Sequence, residues 1–202
     1  MGPLNIKFSM FNTQYKIVLA SASPRRKELL KGLGLDFEVR LVPGIDESYP
    51  EGLSGEEIAK CISRKKADAY KATIADDELI ITADTIVWLN GQVLGKPHDE
   101  EEAKHMLQAL RGRTHQVITG VTLLTTERQH TFSVTSDVTF SNLTDEEIIY
   151  YIQNYHPMDK AGAYGIQEWI GFVGVERIEG SYFNVMGLPV QRLYKELKQF
   201  IS

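Results

Sequence analysis

Apolar and polar positions alternate between two periods along this chain. Ile17-Val18-Leu19-Ala20 is an unbroken apolar run and predicts a buried first strand. Ser23 is then the natural N-cap before Pro24, and a helix carrying Leu29, Leu30 and Leu33 on one side runs to Gly32–Gly34. Phe37 to Val42 alternates as a second strand, broken by Pro43-Gly44. The loop Ile45-Asp46-Glu47-Ser48 follows. Ser54 with Glu57 has capping-box spacing and opens a helix to about Ala72, with Cys61 as one of its small apolar residues. Leu79 to Leu89 is the most apolar stretch. Its β-branched content predicts a central strand covered on both faces. Asn90-Gly91 signals a tight hairpin into a short strand, Gln92 to Leu94.

Asp99 to Leu110 predicts a helix with Ala103, Met106, Leu107 and Leu110 inward. His115 to Thr125 and Gln129 to Phe140 predict an antiparallel pair around Thr126-Glu127-Arg128. Thr144 opens another helix, to about Asn154. Glycines 162, 165, 171 and 174 then crowd one stretch, which implies tight backbone. Ile178 to Tyr182 reads as a turn, and Pro189 opens a last helix to about Phe200. Crossover connections mixed with hairpins predict an α/β protein with an elongated mixed sheet flanked by helices.

Composition narrows the function. Of 202 residues 43% are hydrophobic and 24% charged, as in an ordinary globular protein. A net charge of -5 argues against a general binder of polymeric nucleic acid, so an anionic ligand must be met by a local basic cluster. The single cysteine allows no internal disulfide, which fits a reducing, cytoplasmic setting. No run is apolar and long enough to cross a membrane. Residues 1–14 have no secretory-type apolar segment and read as an unstructured leader, with one domain over 15–202.

Several polar residues stand where structure alone does not ask for them: Ser21, Arg25, Arg26, Glu47, Lys66, Asp84, Lys96, Asp159, Lys160 and Gln167. Arg25 and Arg26 fall in a first helical turn, the wrong end of the helix dipole for cations, where a phosphate would offset the repulsion. Asp84 interrupts the most apolar strand, and a carboxylate there must be paired, hydrogen-bonded or metal-bound. Cations interspersed with carboxylates make up a metal-assisted phosphate site. Singly, each has a plainer reading: Lys66 a solvated helix lysine, Lys96 a turn residue, Glu47 loop surface, Gln167 a backbone cap, His115 a structural histidine. Walker, zinc and G-x-S-x-G motifs are absent.

Taken in order, Ser21-Ala22-Ser23-Pro24-Arg25-Arg26, Ala83-Asp84-Thr85, Gly95-Lys96-Pro97, Gly112-Arg113-Thr114-His115, Asp159-Lys160-Ala161-Gly162 through Gln167, and Glu179-Gly180-Ser181-Tyr182 resemble the Maf family of nucleoside triphosphate pyrophosphatases. The resemblance runs from Ile17 to Ile201. It implies an α/β fold of two lobes with a central cleft, like the inosine-triphosphate pyrophosphatases. It implies metal-dependent (Mg²⁺ or Mn²⁺) hydrolysis of a nucleoside triphosphate to the monophosphate and pyrophosphate. Asp84 falls on the family's proton acceptor, and metal ligation alone is its other role. Glu47 falls on an acidic metal position, and Ser21, Arg26, Lys66 and Lys96 on positions that cradle the triphosphate.

Arg25, Thr85 and Gln167 match the branch acting on dTTP and UTP. The branch acting on 7-methyl-GTP has an aromatic residue, Gln and Glu there. A Gln carboxamide donates and accepts, as a pyrimidine's carbonyl and N3–H edge requires. The expectation is therefore a dTTP/UTP pyrophosphatase acting on free nucleotides, modified pyrimidine nucleotides included. The alternatives are a nucleotide-binding regulator of septum formation and a 7-methyl-GTP pyrophosphatase. A homodimer is implied by the resemblance alone.

Overall fold

A computed structural model describes residues 14–201; the leader, apart from Gln14, lies outside the described residues. The chain builds β1 (Lys16–Leu19), α1 (Pro24–Lys31), β2 (Phe37–Val39), α2 (Gly55–Asp68), β3 (Glu78–Leu89), β4 (Gln92–Leu94), α3 (Glu100–Leu110), β5 (Thr114–Leu124) and β6 (Gln129–Phe140). It continues through α4 (Asp145–Tyr155), two single 3₁₀ turns, α5 (Trp169–Val173), β7 (Val175–Glu179), α6 (Tyr182–Val185) and α7 (Val190–Ile201). The strands form one seven-stranded mixed sheet in the order β2-β1-β3-β5-β6-β7, with β4 also on β3. β1 runs parallel to β2 and β3, and the remaining pairs are antiparallel. This is the α/β mixed sheet the pattern predicts.

The caps act as the sequence requires. Ser54 and Glu57 form a complete capping box at α2, and Thr144 and Glu147 another at α4. Asn90 and Gly91 both take positive φ, as a two-residue hairpin loop demands. Several elements differ from the expectation. β2 stops at Val39 because its partner β1 ends at Leu19, whose carbonyl accepts the last bond from the Arg40 N–H. α2 ends at Asp68, where the fully buried Tyr70 turns in to donate its hydroxyl to the Arg40 carbonyl at 2.7 Å. β7 stands where only a turn was expected, and its pairing with β6 is broken by an irregularity at Thr139/Phe140.

The sheet places the site through a gap. β1 pairs with β3 only as far as Leu19↔Ile81, and β4 resumes on the same edge at Val87↔Leu94. Between them, residues 82–86 of β3 have a strand partner on one side alone, β5. The only side chains of β3 that are not buried are Asp84, Thr85 and Trp88, and the first two lie in that gap. α2 crosses the face beside it at very close range. A Cβ on Gly120, the β5 partner of Asp84, would lie 2.2 Å from the Ala59 carbonyl oxygen, so only glycine lets the helix approach.

Candidate active site

Asp84 projects from β3 toward α2 and meets Lys66, whose ammonium donates to Asp84 Oδ1 at 2.6 Å. The same Nζ lies 2.9 Å from Glu47 Oε1 on the β2–α2 loop. Asp84 and Lys66 are largely buried, and Glu47 is open to solvent. Each carboxylate thus gives one oxygen to Lys66. The neighbouring Lys65 pins the loop that carries Glu47: it donates to the Ser48 carbonyl at 2.7 Å and pairs with Asp46 at 3.1 Å. Ser48 bonds hold the Asp46 carboxyl down at about 2, helped by Lys65.

The second group gathers at the N-terminus of α1. Ser23 caps the helix, accepting from the Arg26 N–H, and no acidic residue occupies the first turn. Arg26 turns its fork inward. Nε donates to the Gly187 carbonyl at 2.8 Å, Nη2 to Thr85 Oγ1 at 3.0 Å, and Nη1 reaches the Ser21 hydroxyl at 3.5 Å. Burial lowers its pKa while Asp84 works the other way, and an arginine in this state stays charged. Thr85 shares a 2.9 Å hydroxyl contact with Thr119, which donates to the Asn184 carbonyl.

Arg25 faces outward toward Asp159, at 3.6 Å. Asp159 also takes Lys160 at 2.7 Å. Burial works to raise the Asp159 carboxyl, but Lys160 and Arg25 outweigh it and hold it down. Lys160 is itself buried and reaches Glu168 at 3.1 Å. Tyr151 donates to the other oxygen of Glu168 in a short hydrogen bond. Burial, reinforced by Glu168, pushes the Tyr151 phenol far up, so it remains a donor.

One cleft of about 410 Å³ joins Arg25, Arg26, Glu47, Lys66, Asp84, Thr85, Lys96 and Gln167, and a contiguous hollow adds Ser21. All nine residues expected at a site therefore line connected space. Arg26 touches both Ser21 and Thr85, and Lys66 touches both Glu47 and Asp84. Lys96 and Gln167 are exposed on the rim and touch none of the others. Five cations, Arg25, Arg26, Lys66, Lys96 and Lys160, face three carboxylates, Glu47, Asp84 and Asp159. The cleft is thus cationic within a chain of net charge -5. His115 is buried, with Nε2 2.7 Å from the Tyr164 hydroxyl, and belongs to the core rather than the cleft.

A family model described as Maf-like protein matches residues 16–200. The chain belongs to the Maf-like family. Among its relatives, the "dTTP/UTP pyrophosphatase" of Phocaeicola vulgatus is 65% identical over 92% of this chain and 96% of its own length. The protein of the same name from Parabacteroides distasonis is 62% identical over 93% of this chain and 97% of its own length. Among solved structures, a HAM1 protein from Coxiella burnetii overlays with TM-score 0.48 and 17% identity, covering 92% of this chain and 99% of that one.

Sequence reasoning singled out Asp159 and Lys160 but gave them no role. It missed Tyr151 and Glu168 altogether. Tyr151 sits at a core-facing helix position and Glu168 in a glycine-rich loop, so neither carries a local signal. Only the fold brings them to one lysine.

Proposed function

We propose that this Maf-like protein hydrolyses dTTP and UTP to the nucleoside monophosphate and pyrophosphate, with a divalent cation and with Asp84 as general base. The observation that carries the reading is the Asp84–Lys66–Glu47 cluster, set in the gap of the sheet and facing the cationic α1 terminus across the cleft. Relatives more than half identical over nearly the whole chain bear the name of this activity.

Asp84 has the chemistry of the base. Its Oδ1 is held by Lys66, and no protein partner engages Oδ2 among the described residues. That oxygen can take the proton of an attacking water, a contribution worth about 10²–10⁴-fold. Lys66 fixes the carboxylate's orientation and adds positive charge where the phosphates lie. Arg26 engages Ser21, Thr85 and the Gly187 carbonyl with one donor each and keeps two N–H groups for phosphate oxygens. Lys96, exposed and unpaired at the cleft, can close on the leaving pyrophosphate.

The donor set fits a hard cation. Among the described residues no group of three His, Cys, Asp or Glu side chains forms a cage. Mg²⁺ is commonly held by one or two carboxylates together with substrate phosphates, and Asp84 with Glu47 supplies such a pair. When bound, the cation would neutralise phosphate charge and favour cleavage of the anhydride.

Gln167 on the rim can read the carbonyl and N3–H edge of a pyrimidine, with Arg25 and Thr85 lining the same cleft. A cytoplasmic location belongs to the same proposal, since its substrates are those of the nucleotide pool. Separating the products of UTP turnover tests the reaction type. Equimolar UMP and pyrophosphate support it; UDP and phosphate contradict it.

A further inference from the structure

Gln167 is exposed and makes no contact of its own, yet the turn that carries it is tightly held. Ile166 and Gln167 are the central residues of a turn closed by the Glu168 N–H donating to the Gly165 carbonyl at 3.0 Å. Both ends of that turn meet one hydroxyl. Tyr151, fully buried on α4, accepts from the Gly165 N–H at 2.9 Å and donates to Glu168 Oε2. Glu168 Oε1 then pairs with the buried Lys160, and Lys160 also holds Asp159, the partner of Arg25. A Cβ on Gly165 would come within 2.8 Å of the Glu168 carboxyl carbon, which Tyr151 and Lys160 both hold. The turn of Gln167 and the Asp159 partner of Arg25 are thus tied to a single buried lysine.

We propose that Tyr151, Glu168 and Lys160 are positioning residues that set base selectivity by holding the Gln167 turn and the Arg25–Asp159 pair in register. The inference rests on the reading of Gln167 as a base contact. A buried tyrosine needs a partner for its hydroxyl in any core. A purely structural role would need only a stable partner. Here the partners are the backbone and side chain of the turn that presents Gln167. A displacement of about 1 Å at a binding group is enough to change rates by about 100-fold. Such loss falls on the nucleotide whose edge Gln167 reads, and leaves phosphate binding intact.

The test is the ratio of kcat/KM for dTTP to that for CTP in the full-length metal-loaded enzyme. It is measured for wild type, Q167A, Y151F, E168Q, K160M and the double variant Y151F/Q167A. Y151F removes one oxygen, and E168Q keeps the side-chain volume, so one reads the clamp if the other fails to fold. Q167A is expected to lower the ratio about tenfold, and Y151F, E168Q and K160M to lower it several-fold, with Y151F adding nothing further in the Q167A background. The clamp is overturned if these variants depress both nucleotides by one common factor, or if the double variant loses selectivity additively. If Q167A changes the ratio and Y151F and E168Q do not, the clamp alone is wrong. If Q167A leaves the ratio unchanged, the base contact itself is wrong and the clamp falls with it.

Discussion

Lys66 and Asp84 join α2 to β3 through a 2.6 Å hydrogen bond, at the point where the sheet lacks a strand. One turn earlier in α2, the Ser63 carbonyl accepts from Thr82 at 2.6 Å, so helix and strand are stitched two strand residues apart. A carboxylate in the most apolar strand is thereby compensated, and its free oxygen faces the cleft. Replacing Lys66 with Met leaves that carboxylate without its partner. We expect kcat/KM for dTTP to fall about 100-fold or more, the scale of losing one charge-stabilising donor, with substantial recovery in Lys66→Arg. Steady-state kinetics checks this, and a change in KM alone would contradict it.

Glu47 is the more exposed carboxylate of the pair and reaches Lys66 from a loop. Chelation with EDTA is expected to abolish turnover and Mg²⁺ to restore it. Glu47→Gln removes one hard, charged oxygen ligand. It should raise the Mg²⁺ concentration for half-maximal rate about tenfold or more, at nearly unchanged thermal stability. A metal titration followed by activity reads this, and an unshifted midpoint rejects Glu47 as a ligand.

Gly120→Ala probes the approach of α2 to the sheet. The new Cβ would sit 2.2 Å from the Ala59 carbonyl oxygen, and backbone on both sides must shift. Overpacking of this kind costs about 1–3 kcal/mol. Thermal unfolding should show a melting temperature lowered by roughly 2–12 °C, with Asp84 and Lys66 no longer matched and activity reduced. An unchanged melting temperature would mean that the helix packs more loosely.

Two buried groups add to the acid sensitivity of the fold. Burial brings His115 down to about 4 from an ordinary value of 6.5. Below pH 6.5 the unfolded chain therefore takes up a proton that the native chain refuses, and stability falls as pH drops toward 4. Hydrogen bonds from Arg40 hold Glu78 down to about 2 from 4.5, so its contribution is intact above pH 4.5 and fades as pH falls toward 2. Melting temperature measured from pH 7.5 to 4.5 should decline, and His115→Gln should flatten that slope. A variant as acid-sensitive as wild type would contradict the assignment.

Much of this was legible in the sequence. The caps at Ser54 and Thr144, the Asn90-Gly91 hairpin and the central strand around Asp84 stand as patterned, because each depends on neighbours in the chain. The nine expected cleft residues come from six separate segments, and the composition of the set was readable although their contacts were not. β7 escaped because its apolar residues, Val175 and Ile178, are three apart and the strand is defined by its pairing with β6. α5 and α6, at five and four residues, are too short to show a helical period. Arg26 illustrates the other limit. Its position suggested phosphate, but three of its donors serve Ser21, Thr85 and Gly187, a tertiary arrangement no local pattern encodes.

If Asp84 drives cleavage of pyrimidine triphosphates, its loss stops turnover without stopping binding. Pyrophosphate release would be measured from dTTP, UTP, CTP, GTP, ATP and 7-methyl-GTP, with Mg²⁺ or Mn²⁺, for wild type and Asp84→Asn, alongside nucleotide binding by calorimetry. Wild type is expected to turn over dTTP and UTP preferentially, and the variant to be slower by about 10²–10⁴-fold with binding retained. Equal turnover by the variant, or binding without turnover by the wild type, would contradict that role for Asp84.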